Sequence, residues 1–217
     1  MPDRPIIFSS AMVRALLDGR KTQTRRVLKP QPHAAVASIE LHRSYPGEFV
    51  PWCGGEAQSS IVVPFAPGDR LWVREGFSRT DAGFAYMADH PGDPRGMGWR
   101  PSIHMPRPAS RLTLTVTEVR VERLQAISEE DARAEGVHAD TWGGVTPMLA
   151  NPADACAHSA ARPVYWAPGN DADDCLCFTA RDAFAWLWNH IHGGDAWAAN
   201  PWVAAISFTV ERRNVDA

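Results

Sequence analysis

Lysine is nearly missing from this chain of 217 residues: of 22 Lys plus Arg, only Lys21 and Lys29 are lysines, which leaves 20 arginines. A GC-rich coding sequence produces such a bias, and under it a replaceable lysine tends to become arginine. A retained lysine is therefore a clue. Long apolar runs are missing too. The longest fall well short of the roughly 18 residues a membrane span needs, and Met1-Pro2-Asp3-Arg4-Pro5 lacks the apolar region of a signal peptide. No membrane partner and a cytoplasmic location are expected. Cysteine is scarce, at positions 53, 156, 175 and 177, too few to frame a fold of this length with disulfides, and reduced thiols are expected. The net charge is only −3, which excludes a generic nucleic-acid coat and still permits a local basic site.

What is present fits one domain able to bury a core, with 45% apolar and 22% charged residues. Charge is uneven along it. Residues 1–30 carry seven basic side chains against Asp3 and Asp18, whereas residues 122–174 carry ten acids against Arg123, Arg133 and Arg162. An anionic or nucleobase-bearing partner would dock at the basic end.

Ser9 or Ser10 can cap a short helix with Met12, Val13, Leu16 and Leu17 on its apolar side, ending at Gly19. Thr22 to Leu28 reads as a strand. About 30–66 has no sustained period and is read as loop or insertion. Pro67-Gly68-Asp69 is a turn signal before a strand with Leu71, Val73 and Glu75 on one face, and Phe84 to Ala88 is a further short strand. Arg111 to Val121 alternates most strictly, with Leu112, Leu114 and Val116 opposite three threonines. Ser128-Glu129-Glu130-Asp131 predicts a helix over about 129–135 closed by Gly136, and about 138–177 reads as a second insertion. Thr179 caps a third helix that ends at Gly193-Gly194, and Trp202 to Val210 alternate in a last strand. Together these elements predict an α+β fold, a small mixed β-barrel with short flanking helices and two loop insertions.

The chemistry-bearing stretch is Gly19-Arg20-Lys21-Thr22-Gln23-Thr24-Arg25-Arg26. Lys21 stands among guanidiniums that lower the pKa of its amine, and a neutral amine can take a proton from a hydroxyl, which arginine cannot do. Glu75, sharing a strand face with two apolar residues, would be partly desolvated, with its pKa raised. The set reads as base, nucleophile, and a carboxyl that orients substrate or protonates the leaving nitrogen: Lys21, Thr24 and Glu75. On a regular strand Lys21 and Thr24 would point to opposite faces, so the reading needs a turn or bulge at the junction.

The Gly19 to Arg25 stretch, Pro67-Gly68-Asp69-Arg70-Leu71-Trp72-Val73-Arg74-Glu75, and Asn200-Pro201-Trp202-Val203 resemble the ASCH domain family, whose fold is a PUA-like β-barrel. The segment Pro101 to Arg107 followed by Ser110-Arg111 is similar to the branch common in bacteriophages and prophages. The resemblance implies an RNA- or modified-nucleoside-binding protein. Relatives include amidohydrolases that deacetylate N4-acetylcytidine, and a ribonuclease. It also implies Lys21, Thr24 and Glu75 as the catalytic set of an amidohydrolase needing no metal or organic cofactor. The alternatives are a modified-base-binding module without catalysis and a metal-independent ribonuclease.

Arg25, Arg26, Trp72, Arg74, His104 and Arg107 are the candidate substrate-binding residues, through base stacking and phosphate contacts. Cys156-x-His158 and Cys175-x-Cys177 lack the two-residue gap of a zinc knuckle, so no metal is expected. Trp186, Trp188, Trp197, Phe184 and Trp202 read as core. No protein partner is implied.

Overall fold

The strictest alternation in the sequence becomes the longest strand. Thr113–Arg123 pairs antiparallel with Trp202–Glu211 along its length and with Arg70–Arg74 at its start. Its pairing is interrupted once, because Val116 faces Phe208 and Glu118 faces Ser207, so Thr117 is an extra, bulged residue. The bulge rephases the strand. Leu112, Leu114 and Val116 before it, and Val119 and Val121 after it, all enter one apolar cluster although their parity differs. Deleting Thr117 leaves an unbroken alternation with the same residues inward. That variant is expected to fold and to stay within about 2 kcal/mol of the parent in urea denaturation.

This computed structural model describes residues 3–45, 47–92, 97–141, 163–166, 177 and 179–217. In chain order its elements are β1 Asp3–Ile7, α1 Ser10–Leu17, β2 Gln23–Val27, β3 Ser38–Leu41, β4 Glu48–Cys53, β5 Glu56–Ala57 and β6 Ile61–Val62. They continue with β7 Arg70–Arg74, β8 Phe77–Thr80, β9 Gly83–Tyr86, β10 Thr113–Arg123, α2 Glu129–Ala134, β11 His138–Thr141, β12 Pro163–Trp166, α3 Ala180–His192 and β13 Trp202–Glu211. One-turn 3-10 helices occupy Met87–Asp89, Ser102–His104, Arg107–Ala109 and Leu124–Ala126. The caps match the sequence reading, since Ser9, Ser128 and Thr179 side chains accept the amides of Met12, Asp131 and Asp182. No helix among the described residues is long and apolar enough to cross a membrane.

The architecture is α+β. The main sheet runs in the order β1-β7-β10-β13-β2, with only β1 and β7 parallel. One side of it buries Val13 and Leu16 of α1 and Phe49 of β4; the other packs Val203 against Ala132 of α2 and Phe184, Leu187 and Trp188 of α3. The expected closed barrel is, among the described residues, an open sheet. Its edge strands β1 and β2 are linked by α1, whose buried side fills the core between them, and by a side chain rather than a ladder: Arg26 Nη2 donates to Ile7 O at 2.9 Å.

The segment 30–66 is no mere loop. It folds into a second sheet in which β4 pairs with β3, β5 and β6, and Gly54-Gly55, both at positive φ, turn β4 into β5. These strands are mostly short and exposed, which erases the periodicity a longer, half-buried strand would show. Within 138–177, β11 and β12 pair antiparallel. Cys156, His158 and Cys175 lie outside the described residues.

Candidate active site

After α1 the chain turns at Gly19, with φ +73°, and the amides of Arg20 and Lys21 both donate to Ala15 O, at 2.9 and 3.0 Å. Lys21 then makes an isolated bridge to Glu135, and regular strand begins only at Gln23. The break that the Lys21 and Thr24 spacing requires is therefore present. Lys21 is fully buried. Its Nζ donates to Gln23 O at 2.9 Å, Glu135 O at 2.9 Å and Glu135 Oε2 at 2.7 Å, which uses all three ammonium protons. The Phe8 ring centroid is 5.6 Å from the same nitrogen. Burial holds the Lys21 amine below the ordinary lysine range; Glu135 pulls the other way, and Arg26 and Arg25 add to the depression.

Glu135 follows the last turn of α2 and was not singled out by sequence reasoning. Its other oxygen accepts from Arg25 Nη1 at 3.3 Å. Arg25 also donates to Gln23 Oε1 (2.6 Å), Glu122 Oε1 (2.7 Å) and Asp131 Oδ2 (3.1 Å), and Asp131 is further held by Gln23 and Arg120. Burial alone would raise the Asp131 pKa, but the Gln23 amide and the Arg120 and Arg25 charges together hold it below the ordinary aspartate range. Arg25, a candidate substrate contact, is thus a buried member of a network against α2. Arg26, on the opposite strand face, reaches the Ile7 carbonyl and lies 5.4 Å from the Phe8 centroid. Thr24, which shares the strand face of Arg26, is 4% exposed.

Glu75, one residue past β7, is 1% exposed. Arg111 clamps it in parallel, Nε to Oε1 at 2.8 Å and Nη2 to Oε2 at 3.0 Å. The same guanidinium donates to Asp89 and stacks 4.0 Å from the Tyr86 centroid. Burial pushes the Glu75 carboxyl up, opposed by Arg111. Sequence reasoning missed this arginine as a partner, though it opens the most regular alternation in the chain. The two halves of the site meet at Phe8, whose ring faces Lys21 and whose amide donates to Arg74 O at 3.1 Å, next to Glu75. None of the three Lys21 hydrogen bonds goes to Thr24 or Glu75.

The other candidates are dispersed. Trp72 is buried, with the Arg74 guanidinium 5.4 Å from its ring and donating to Ile103 O. His104 is exposed in its one-turn helix. Arg107 is paired with Asp3 and Asp216, so its charge is already met. A cavity of about 670 Å³ between the β3–β6 sheet and the bulged half of β10 is lined by Ile39, Phe49, Phe65, Val119 and Glu122 among others, and by none of Lys21, Thr24 and Glu75. Compared with known protein families, curated proteins and solved structures, the chain matches none.

Proposed function

We propose that this protein is an amidohydrolase that removes the acyl group from an N4-acylated cytidine or a related modified nucleobase. One observation carries the reading: the lysine retained in an arginine-rich chain is fully buried, with an amine that burial makes easier to deprotonate. The buried Thr24, on β2, and the buried Glu75, one residue past β7, supply the hydroxyl and the acid. The same proposal takes the main sheet as a PUA-like barrel open at one seam, the chain as an ASCH member, and its setting as cytoplasmic.

An N4-acyl cytosine is an activated amide, because the leaving nitrogen is conjugated to an electron-poor ring. The neutral Lys21 amine takes the Thr24 hydroxyl proton while Oγ1 bonds to the acyl carbon, and the C=O π pair moves onto oxygen. When that pair returns, the C–N4 bond breaks and N4 keeps its electrons, taking a proton from Glu75. Water then attacks the Thr24 ester, giving a proton to Glu75, and the departing Thr24 oxygen recovers its proton from Lys21. The sum is amide plus water to cytidine plus carboxylic acid. Lys21 activating water directly gives the same products without the ester.

Purified protein incubated with N4-acetylcytidine is expected to release cytidine, separated by chromatography; none at high enzyme concentration sinks the acetyl-specific reading. Thr24→Val keeps the shape and removes the hydroxyl, and Lys21→Arg keeps the charge and removes the base. Each is expected to slow release about 100-fold or more, with melting curves recorded beside the rates to separate lost chemistry from lost fold. Equal rates for Lys21→Arg and the parent would mean that Lys21 is not the base. The modified-base-binding module is favoured by a different observation, the complete hydrogen bonding of the Lys21 ammonium. Binding of N4-acetylcytidine without turnover selects that reading. Cleavage of labelled single-stranded RNA in metal-free buffer selects the ribonuclease.

A further inference from the structure

We infer that Glu135 and Lys21 work as one buried proton-transfer unit, in which Glu135 fixes the lysine side chain and takes its proton. The catalytic meaning of the unit rests on the hydrolase reading, whereas the pair itself stands on geometry. Nζ and Oε2 are 2.7 Å apart, and the two side chains are 0% and 4% exposed. Glu135 grips the amine twice, by its carboxylate and by its main-chain carbonyl, and Gln23 O completes the set.

The charged groups around Nζ are Glu135 at the end of α2 and Arg25 and Arg26 on β2, with the Phe8 ring face next to β1. Arg25 is itself tied to Glu135, Glu122 and Asp131, which spreads its charge over three carboxylates. Away from water, ammonium with carboxylate and amine with carboxylic acid differ by one proton moved along one hydrogen bond, and neither form strands a net charge. In that move the N–H pair stays on nitrogen as a lone pair and a new O–H bond forms at Oε2. The two remaining N–H groups keep the Gln23 and Glu135 carbonyls. Once the Glu135 O–H turns away from nitrogen, this lone pair can take the Thr24 hydroxyl proton, and Glu135 holds the displaced proton until the Thr24 oxygen departs. Glu135 acts through Lys21 and is a positioning residue in this scheme.

Two lysines make the pair directly observable. In protein labelled at lysine and glutamate with carbon-13, Lys21 and the exposed Lys29 give two separate side-chain signals. Lys21 is expected to titrate at lower pH than Lys29, with one glutamate carboxyl carbon moving at the same inflection. In Glu135→Gln the Lys21 inflection is expected to fall further. Lys21 titrating with Lys29, or unmoved by Glu135→Gln, overturns the pair. If the glutamine variant does not fold, the parent protein decides alone: a Lys21 inflection with no matching carboxyl signal overturns it. In turnover, Glu135→Gln is expected to be about 100-fold slower with a shifted pH profile, and Glu135→Asp to recover part of the loss. No cytidine from the parent protein sinks the hydrolase and leaves the titration to judge the pair. Cytidine released by Glu135→Gln at the parent rate, with an unchanged profile, overturns the pair while the hydrolase stands.

Discussion

Glu135→Leu is expected to lower the unfolding free energy by about 3–5 kcal/mol in urea denaturation near neutral pH, because it strands the fully buried Lys21 ammonium without its counter-charge. Arg25 loses one of its acceptors in the same step. The deficit has a sign in pH. With its partner gone, the folded-state pKa of Lys21 lies still further below the unfolded value, so the unfolded chain binds the extra proton. The stability of the variant therefore rises with pH up to the ordinary lysine range, where the charge part of the deficit is gone. Lys21→Met combined with Glu135→Leu is expected to recover most of the loss, since apolar side chains of similar volume replace buried pairs at little cost. A single variant within about 1 kcal/mol of the parent would mean that the pair contributes almost nothing.

Arg111→Leu is the mirror case. It leaves Glu75, buried to 1% exposure, without the guanidinium that clamps both its oxygens. A loss of about 3–5 kcal/mol is expected at neutral pH. Burial already raises the Glu75 pKa, and without Arg111 it rises further. For a carboxyl raised on folding, the stabilising contribution is complete below the unfolded value and is lost as pH rises through the folded one. The Arg111→Leu deficit is accordingly smallest near pH 4 and grows with pH, opposite to Glu135→Leu. Urea midpoints of both variants across pH 4 to 9 check this crossing; parallel curves would show that these groups do not carry the pH dependence.

Much of the scaffold was readable because its signals are local. Ser9, Ser128 and Thr179 cap the helices they precede, β13 alternates along its length, and β10 alternates on either side of Thr117. Even the bulge is written in β10, where the inward residues change from 112, 114 and 116 to 119 and 121 across Thr117. The β3–β6 sheet escaped because most of its strands are too short to alternate, although Gly54-Gly55 is itself a two-residue hairpin signal. Lys21, Thr24 and Glu75 were legible as residue types beside a turn. Their partners were not. Glu135 lies 114 positions from Lys21, and Arg111 lies 36 from Glu75, distances over which no periodicity or cap operates. Arg25 looked like a ligand contact because a run of guanidiniums does not reveal which face each occupies, and only the acids of β10 and α2 turn this one inward.

The seam between β1 and β2 bears on how these molecules behave at high concentration. A sheet edge that offers a bare carbonyl is a template for a strand from another copy. Here the Ile7 carbonyl at the end of one edge strand is already taken by Arg26 of the other. The bond that brings the two margins of the sheet together thus also guards one of them against self-association, at the cost of a single charged side chain.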